Sequence, residues 1–322
     1  MNGHVLAVGE ALVDVVHRPD GTSAEHPGGS LANVALTLGR LGRDVRLATW
    51  LGDDERGATV RDWLAESRVG LVAGSDHAAR TSVAQATLDP TGAATYEFDL
   101  EWRVPDGAAA VPETLAVHTG SIAAVLAPGA ADVRRLVESA RATSTITYDP
   151  NARPALMGDP VDVRPQVEEL VALADVVKVS DEDLAWLSPG TEPLEVARAW
   201  QRSGPAVVVV TFGGSGATAV TAAGDVTVAA PRVDVVDTVG AGDSFMGALL
   251  DWLWGAELLG AEKRAALRGI DRAATTRMLT RAVAVAAVTV SRAGANPPWP
   301  ADLVGPDRVR VDASSPLREE HA

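Results

Sequence analysis

Six short runs of almost uninterrupted apolar residues, at 5–9, 45–51, 115–120, 145–149, 175–180 and 206–212, set the limits on how this chain can fold. A strand that is apolar on both sides cannot keep one face in water, so each run belongs in a sheet covered above and below. Longer segments with helical spacing stand between them. Leu31, Val34, Ala35, Leu38 and Leu41 recur along residues 30–41, and 128–141, 195–202 and 272–290 also read as helices. This alternation predicts an α/β domain built on a doubly wound, mainly parallel sheet. With 322 residues, 47% of them hydrophobic, there is enough chain for one such domain and a small appendage.

Two regions interrupt the rhythm. Residues 13–18, and the pair 81–88 and 94–100 around Asp89-Pro90-Thr91-Gly92, read as strands joined without helices and hence antiparallel. They either extend the main sheet or form a small sheet of their own, and the hairpin signals favour the second. The expected organisation is one domain over 1–303, with small-sheet strands inserted around 12–28 and 81–103. Residues 304–322 lack periodicity and read as a surface tail.

Composition removes several kinds of chemistry. With no cysteine there is no disulfide, thiolate metal site or thiol nucleophile. A net charge of −15 argues against nucleic-acid binding, which needs clustered Lys and Arg. No run is long and apolar enough for a membrane span and no export segment is visible, so a cytoplasmic location is expected.

Chemistry concentrates in residues 233–250, VDVVDTVGAGDSFMGALL, where a strand-like run breaks at Gly240-Ala241-Gly242 and a helix begins. Bare backbone and the unpaired N–H groups of a first helical turn make a place for an anion. Asp243 is a carboxylate just where a phosphate would bind. It makes sense if it faces the other reactant and takes a proton from an attacking hydroxyl. Asp is also a common helix N-cap, and the turn alone leaves both readings open. No GxxxxGK[ST] loop or GxGxxG after the first strand competes for the phosphate.

Residues 237–245, DTVGAGDSF, resemble the second signature of the PfkB or ribokinase family of sugar and nucleoside kinases, and 26–42, HPGGSLANVALTLGRLG, resemble the first. The stretches GEALVD at 9–14, YDPNAR at 148–153, KVSDED at 178–183 and TFGGSG at 211–216 follow in family order. The resemblance spans roughly residues 4–300, and DPNxR with PGGSLANVA points toward fructokinase-like members. It implies a ribokinase-like fold whose small sheet is a lid over the sugar and a site of homodimerisation. It also implies ATP-dependent phosphorylation, most simply of the fructose 6-hydroxyl. A kinase for another sugar or sugar acid such as 2-keto-3-deoxygluconate, or an inactive sugar-sensing or partner-binding member, are the alternatives.

The resemblance also distributes roles. Asp243 would be the general base, with the Gly240, Ala241 and Gly242 N–H groups holding the transferring phosphoryl group; an exposed carboxylate is a weak base, so position and desolvation would carry its contribution. Asp14, Gly28, Gly29 and Asn33 would hold the sugar, although Asn33 also reads as a polar residue on an outer helix face. Arg153 would bind sugar or phosphate. Phe98 and Trp102 would either cover the sugar or pack inside the lid. Lys178, Thr211, Gly213, Gly216, Gly242 and Asn296 fall on the ATP side. Ser180 to Asp183 replaces an NxxE motif that organises Mg²⁺, so Asp183 would reach the metal through water. Asp237 and Val239 would frame a monovalent-cation site for K⁺.

Overall fold

A computed structural model describes residues 3–89 and 94–303. The expected turn at 89–92 therefore lies mostly outside the described residues, as does the expected tail at 304–322. Among the described residues, thirteen strands form two sheets. The strands are β1 (His4–Val8), β2 (Leu12–His17), β3 (Ser23–Gly28), β4 (Val45–Ala48), β5 (Val69–Leu71), β6 (Val83–Leu88), β7 (Ala94–Asp99), β8 (Thr114–Gly120), β9 (Thr145–Asp149), β10 (Val176–Ser180), β11 (Val207–Thr211), β12 (Ala217–Thr221) and β13 (Gly224–Val228). The helices are α1 (Ser30–Arg40), α2 (Glu55–Glu66), α3 (Gly129–Ala140), α4 (Pro154–Met157), α5 (Pro160–Leu173), α6 (Asp181–Leu187), α7 (Pro193–Ser203), α8 (Ala241–Gly255), α9 (Arg264–Arg268) and α10 (Arg272–Val290).

The large sheet has the order β13-β12-β11-β10-β9-β8-β1-β4-β5, parallel from β11 to β5, with β12 and β13 antiparallel at one end. All six expected strands are in it. Side-chain alternation divides them between two cores: Val5 and Ala7 of β1, and Val207 and Val209 of β11, face the layer of α1, α8 and α10, whereas Leu6, Val8, Val208 and Val210 face α3, α5 and α7. That two-sided burial is why these runs are apolar throughout. Strand order reverses beside β1, which pairs with both β4 and β8. The crevice above such a switch point is where open α/β sheets bind ligands.

The small sheet is separate, with the order β3-β2-β6-β7. Its expected antiparallel character holds for β2–β3 and β6–β7, but β2 and β6 pair in parallel, from Val13 opposite Val83 to His17 opposite Thr87. The long connection between them, through β4, α2 and β5, permits that direction.

Candidate active site

Two features open α8 at Gly240. The residue is left-handed, with φ 74°, and a Cβ there would lie 2.7 Å from that of Ala295. Glycine alone meets both demands without strain. Of the three N–H groups expected to hold a phosphoryl group, that of Ala241 is bonded within the turn, donating to the Thr238 carbonyl at 3.2 Å.

Asp243 is 5% exposed, which corrects the expectation of an exposed carboxylate. It is not the cap, a position held by Gly240. Its Oδ1 accepts from Ser30 Oγ at 2.7 Å and Asn151 Nδ2 at 3.1 Å, and its Oδ2 accepts from Asn33 Nδ2 at 2.8 Å. Asn151 Nδ2 also donates to Ser30 Oγ at 2.7 Å. Asn33 is thus no outer-face residue; it is buried, and its Oδ1 has no partner among the described residues. One turn further along the same two helices, a Cβ on Gly247 would lie 2.7 Å from that of Thr37. The missing side chain lets α1 and α8 approach closely enough for Asn33 to reach Asp243.

Two clefts meet beside this carboxylate, which lines the first of them. The first lies under the small sheet and is lined by Glu10, Asp14, Gly29, Ser30, Asn33, Tyr96, Phe98, Asn151, Arg153 and the turn from Thr238 to Asp243. The second is lined by Thr211, Gly213, Gly216, Arg232, Val235, Phe245, Val283, Ala287 and Val290. Thr238, Ala241 and Gly242 belong to both. The Glu10, Asp14, Asn33, Asn151 and Arg153 side chains of the first suit the hydroxyls of a polyol, and the largely apolar wall of the second suits a planar base, with the helix N-terminus between them.

Within the first cleft, burial raises the Asp14 pKa, while Arg153 and His26 pull it down. Gly28 stands just behind the lining, where a Cβ would collide with Asp14 Oδ2. Gly29, at φ 109°, would bring a Cβ within 2.5 Å of the Glu10 carbonyl. Arg153 Nη1 donates to Asn151 O at 3.0 Å, Asn151 Oδ1 at 2.7 Å and Ala152 O at 2.9 Å, and so props the loop that carries Asn151. Phe98 stacks on Tyr96, with ring centroids 6.1 Å apart.

Several expected ligands lie elsewhere. Trp102 is 2% exposed, with Nε1 donating to Ala123 O at 3.0 Å; the indole sits in the core beside α3 because its N–H finds an acceptor there. Lys178 lines neither cleft and is buried in an ion pair with Asp149. Asn296 Oδ1 accepts from Arg40 Nη1 at 2.6 Å, in a cluster where Arg40 and Arg68 both lie over the Trp299 ring, and it too lines neither cleft. Asp183 is bonded locally. Its Oδ2 accepts from Ser180 N at 3.2 Å, closing a capping box at the start of α6, and its Oδ1 accepts from Ala152 N at 2.9 Å. Among the described residues no group of three His, Cys, Asp or Glu is placed to hold a metal. Asp237 ties two loops together, accepting from Val239 N at 3.0 Å and Gly294 N at 2.8 Å.

Three site residues escaped sequence reasoning. Ser30 and Asn151 lie inside the quoted PGGSLANVA and DPNxR stretches, yet nothing in a linear reading shows that both point at Asp243. Glu10, in GEALVD, accepts at Oε1 from Ser30 N at 3.2 Å, and burial pushes its pKa up to about 7.

Residues 2–302 match the model of the pfkB family of carbohydrate kinases. A fructokinase of Klebsiella pneumoniae is 34% identical over 262 residues, covering 78% of this chain and 84% of its own. The crystal structure of a fructokinase with bound ATP from Xylella fastidiosa superposes with a TM-score of 0.76 at 27% identity, covering 91% of this chain and 93% of the other. An aminoimidazole riboside kinase from Salmonella enterica, complexed with aminoimidazole riboside and an ATP analogue, gives 0.77 at 25% identity, with 94% and 98% covered. No helix among the described residues is long and apolar enough to cross a membrane.

Proposed function

The chain belongs to the pfkB family of carbohydrate kinases, and from that premise we propose that it transfers the γ-phosphate of ATP to the 6-hydroxyl of fructose. The observation that carries this reading is the position of Asp243, in the wall of the first cleft and next in sequence to Gly242, where the two clefts meet. The hydroxyl oxygen attacks phosphorus, Asp243 takes the hydroxyl proton, the bond to the bridging oxygen breaks and ADP leaves. Ser30, Asn33 and Asn151 aim the carboxylate, and the start of α8 meets the charge that develops on the phosphoryl oxygens. Asp183 would act on magnesium through water: one N–H on each of its oxygens leaves each a lone pair for a metal-bound water. Magnesium is expected as the companion of the nucleotide, held by its phosphates and water. Potassium activation at the loops joined by Asp237, and a homodimer through the small sheet, belong to the same reading. Turnover in potassium against tetramethylammonium, and the mass in solution, test them.

A coupled assay of ADP release across fructose, ribose, adenosine and 2-keto-3-deoxygluconate tests the substrate. Fructose should lead in kcat/KM by about tenfold, equivalent to roughly 1.4 kcal/mol of differential transition-state binding. A sugar acid is the second reading, favoured by one observation: the Arg153 guanidinium lines the acceptor cleft, where a carboxylate could pair with it. Preference for the acid, abolished by Arg153→Ala, would select it. No ADP release with any acceptor would favour a sensing or partner-binding member.

A further inference from the structure

Lys178 and Asp149 form an ion pair of 3.0 Å whose side chains are 3% and 2% exposed. Taking two charges out of water costs several kcal/mol per ion before their attraction offsets it, and a well-packed apolar pair would join β9 to β10 as firmly. The location of the pair gives a reason for it. Lys178 Nζ lies 2.7 Å from the point where a Cβ on Gly242 would stand, so the ammonium packs against the backbone of a residue common to both clefts. Burial alone would lower the Lys178 pKa, but Asp149, Asp183 and Asp243 around it hold the ammonium above its ordinary value.

We infer that Lys178 is the fixed cation of the phosphoryl-transfer site: a positioning residue that acts through the Gly242 turn, with Asp149 holding its ammonium in place. The inference rests on the kinase reading above. It supplies a local positive charge in a chain of net charge −15, at the helix end that already carries partial positive charge. Buried, that charge is screened far less by salt than a surface cation would be. It also accounts for glycine at 242, where any side chain would displace the ammonium.

The competing explanation is that Lys178 does no more than neutralise Asp149. Lys178→Met and the double variant Lys178→Met/Asp149→Asn separate the two, because the double variant removes both charges and leaves neither orphaned. Lys178→Met should lower kcat at least about tenfold, less than loss of a direct oxyanion donor, with sugar KM within about twofold. The double variant should regain thermal stability and stay slow. Gly242→Ala keeps both charges but displaces the ammonium, so it should also be slow, and adding Lys178→Met to it should cost little more. Wild-type kcat in the double variant, or in Gly242→Ala, would overturn the inference while leaving the kinase reading intact. Absence of turnover by the wild-type protein would overturn both.

Discussion

Asn33 on α1 donates its amide to Asp243 on α8 at 2.8 Å, across 210 positions of sequence. The two belong to different signatures of the chain, and only the packing of one helix on the other brings them together. With Ser30 and Asn151 on the second oxygen, the carboxylate has one orientation available to it.

Asp243→Asn should therefore lower kcat by roughly 10² to 10⁴, the usual contribution of general acid–base catalysis, while ATP affinity changes little. Single-turnover rates and nucleotide titration measure the two separately. Near wild-type turnover would remove Asp243 from the base role.

Gly247→Val tests the packing beneath that contact. The new side chain meets Thr37 where a Cβ already lies at 2.7 Å. Overpacking of this kind costs about 1–3 kcal/mol. Because the strain falls one turn from Asn33, kcat should drop along with the melting temperature. A stability loss with unchanged kcat would show that the helix spacing does not set the base.

The buried Glu10 carboxyl predicts a pH dependence of stability. Its pKa rises from 4.5 unfolded to about 7 folded, first because of burial, so between those values the folded state holds more protons than the unfolded one. Stability contributed by the protonated form is thus present at low pH and lost as pH rises toward about 7, by up to about 3 kcal/mol. Glu10→Gln has no charge to bury and should lack this decline. Asp149, raised to about 6 by burial, declines alike in both proteins and cancels in the difference. Melting curves of the two from about pH 5 to about pH 8 should diverge, and parallel curves would assign the effect elsewhere.

Arg232 is the one charged side chain among the described residues lining the apolar cleft. For a polyanionic nucleotide it is the available surface cation, so Arg232→Ala should raise KM for ATP about tenfold and leave the sugar KM unchanged. The added KM should shrink in high salt, since an exposed contact is screened. An unchanged KM for ATP would place the phosphates away from this rim.

Those residues differ in how readable they were. The six central strands were legible because burial on both faces forces unbroken apolar runs, and Asp243 because a glycine turn before a helix is a local signal. β3 falls inside the small-sheet insertion expected around 12–28 but does not read as a separate strand, since SAEHPG at the edge of the small sheet carries Pro27 and faces largely outward. Lys178 and Asn296 read as nucleotide-side residues, and Asp183 as a residue that reaches the metal through water, from their neighbours in sequence; only the folded chain shows their contacts with Asp149, Arg40 and the α6 N-terminus. Trp102 misled for a similar reason: position along the chain does not say which way an indole turns, and an acceptor at Ala123 decided it. Ser30 and Asn151 become visible only when the start of α1 and the loop after β9 converge on the same carboxylate oxygen.

The clefts touch along Thr238, Ala241 and Gly242, and that joint is mostly main chain. Drift in Tyr96, Phe98 or Leu156 can reshape the acceptor chamber, and drift in Val235 or Val283 the donor chamber, without altering the junction between them. A lineage built this way can exchange one alcohol for another while inheriting the Asp243 carboxylate and its hydrogen bonds unchanged.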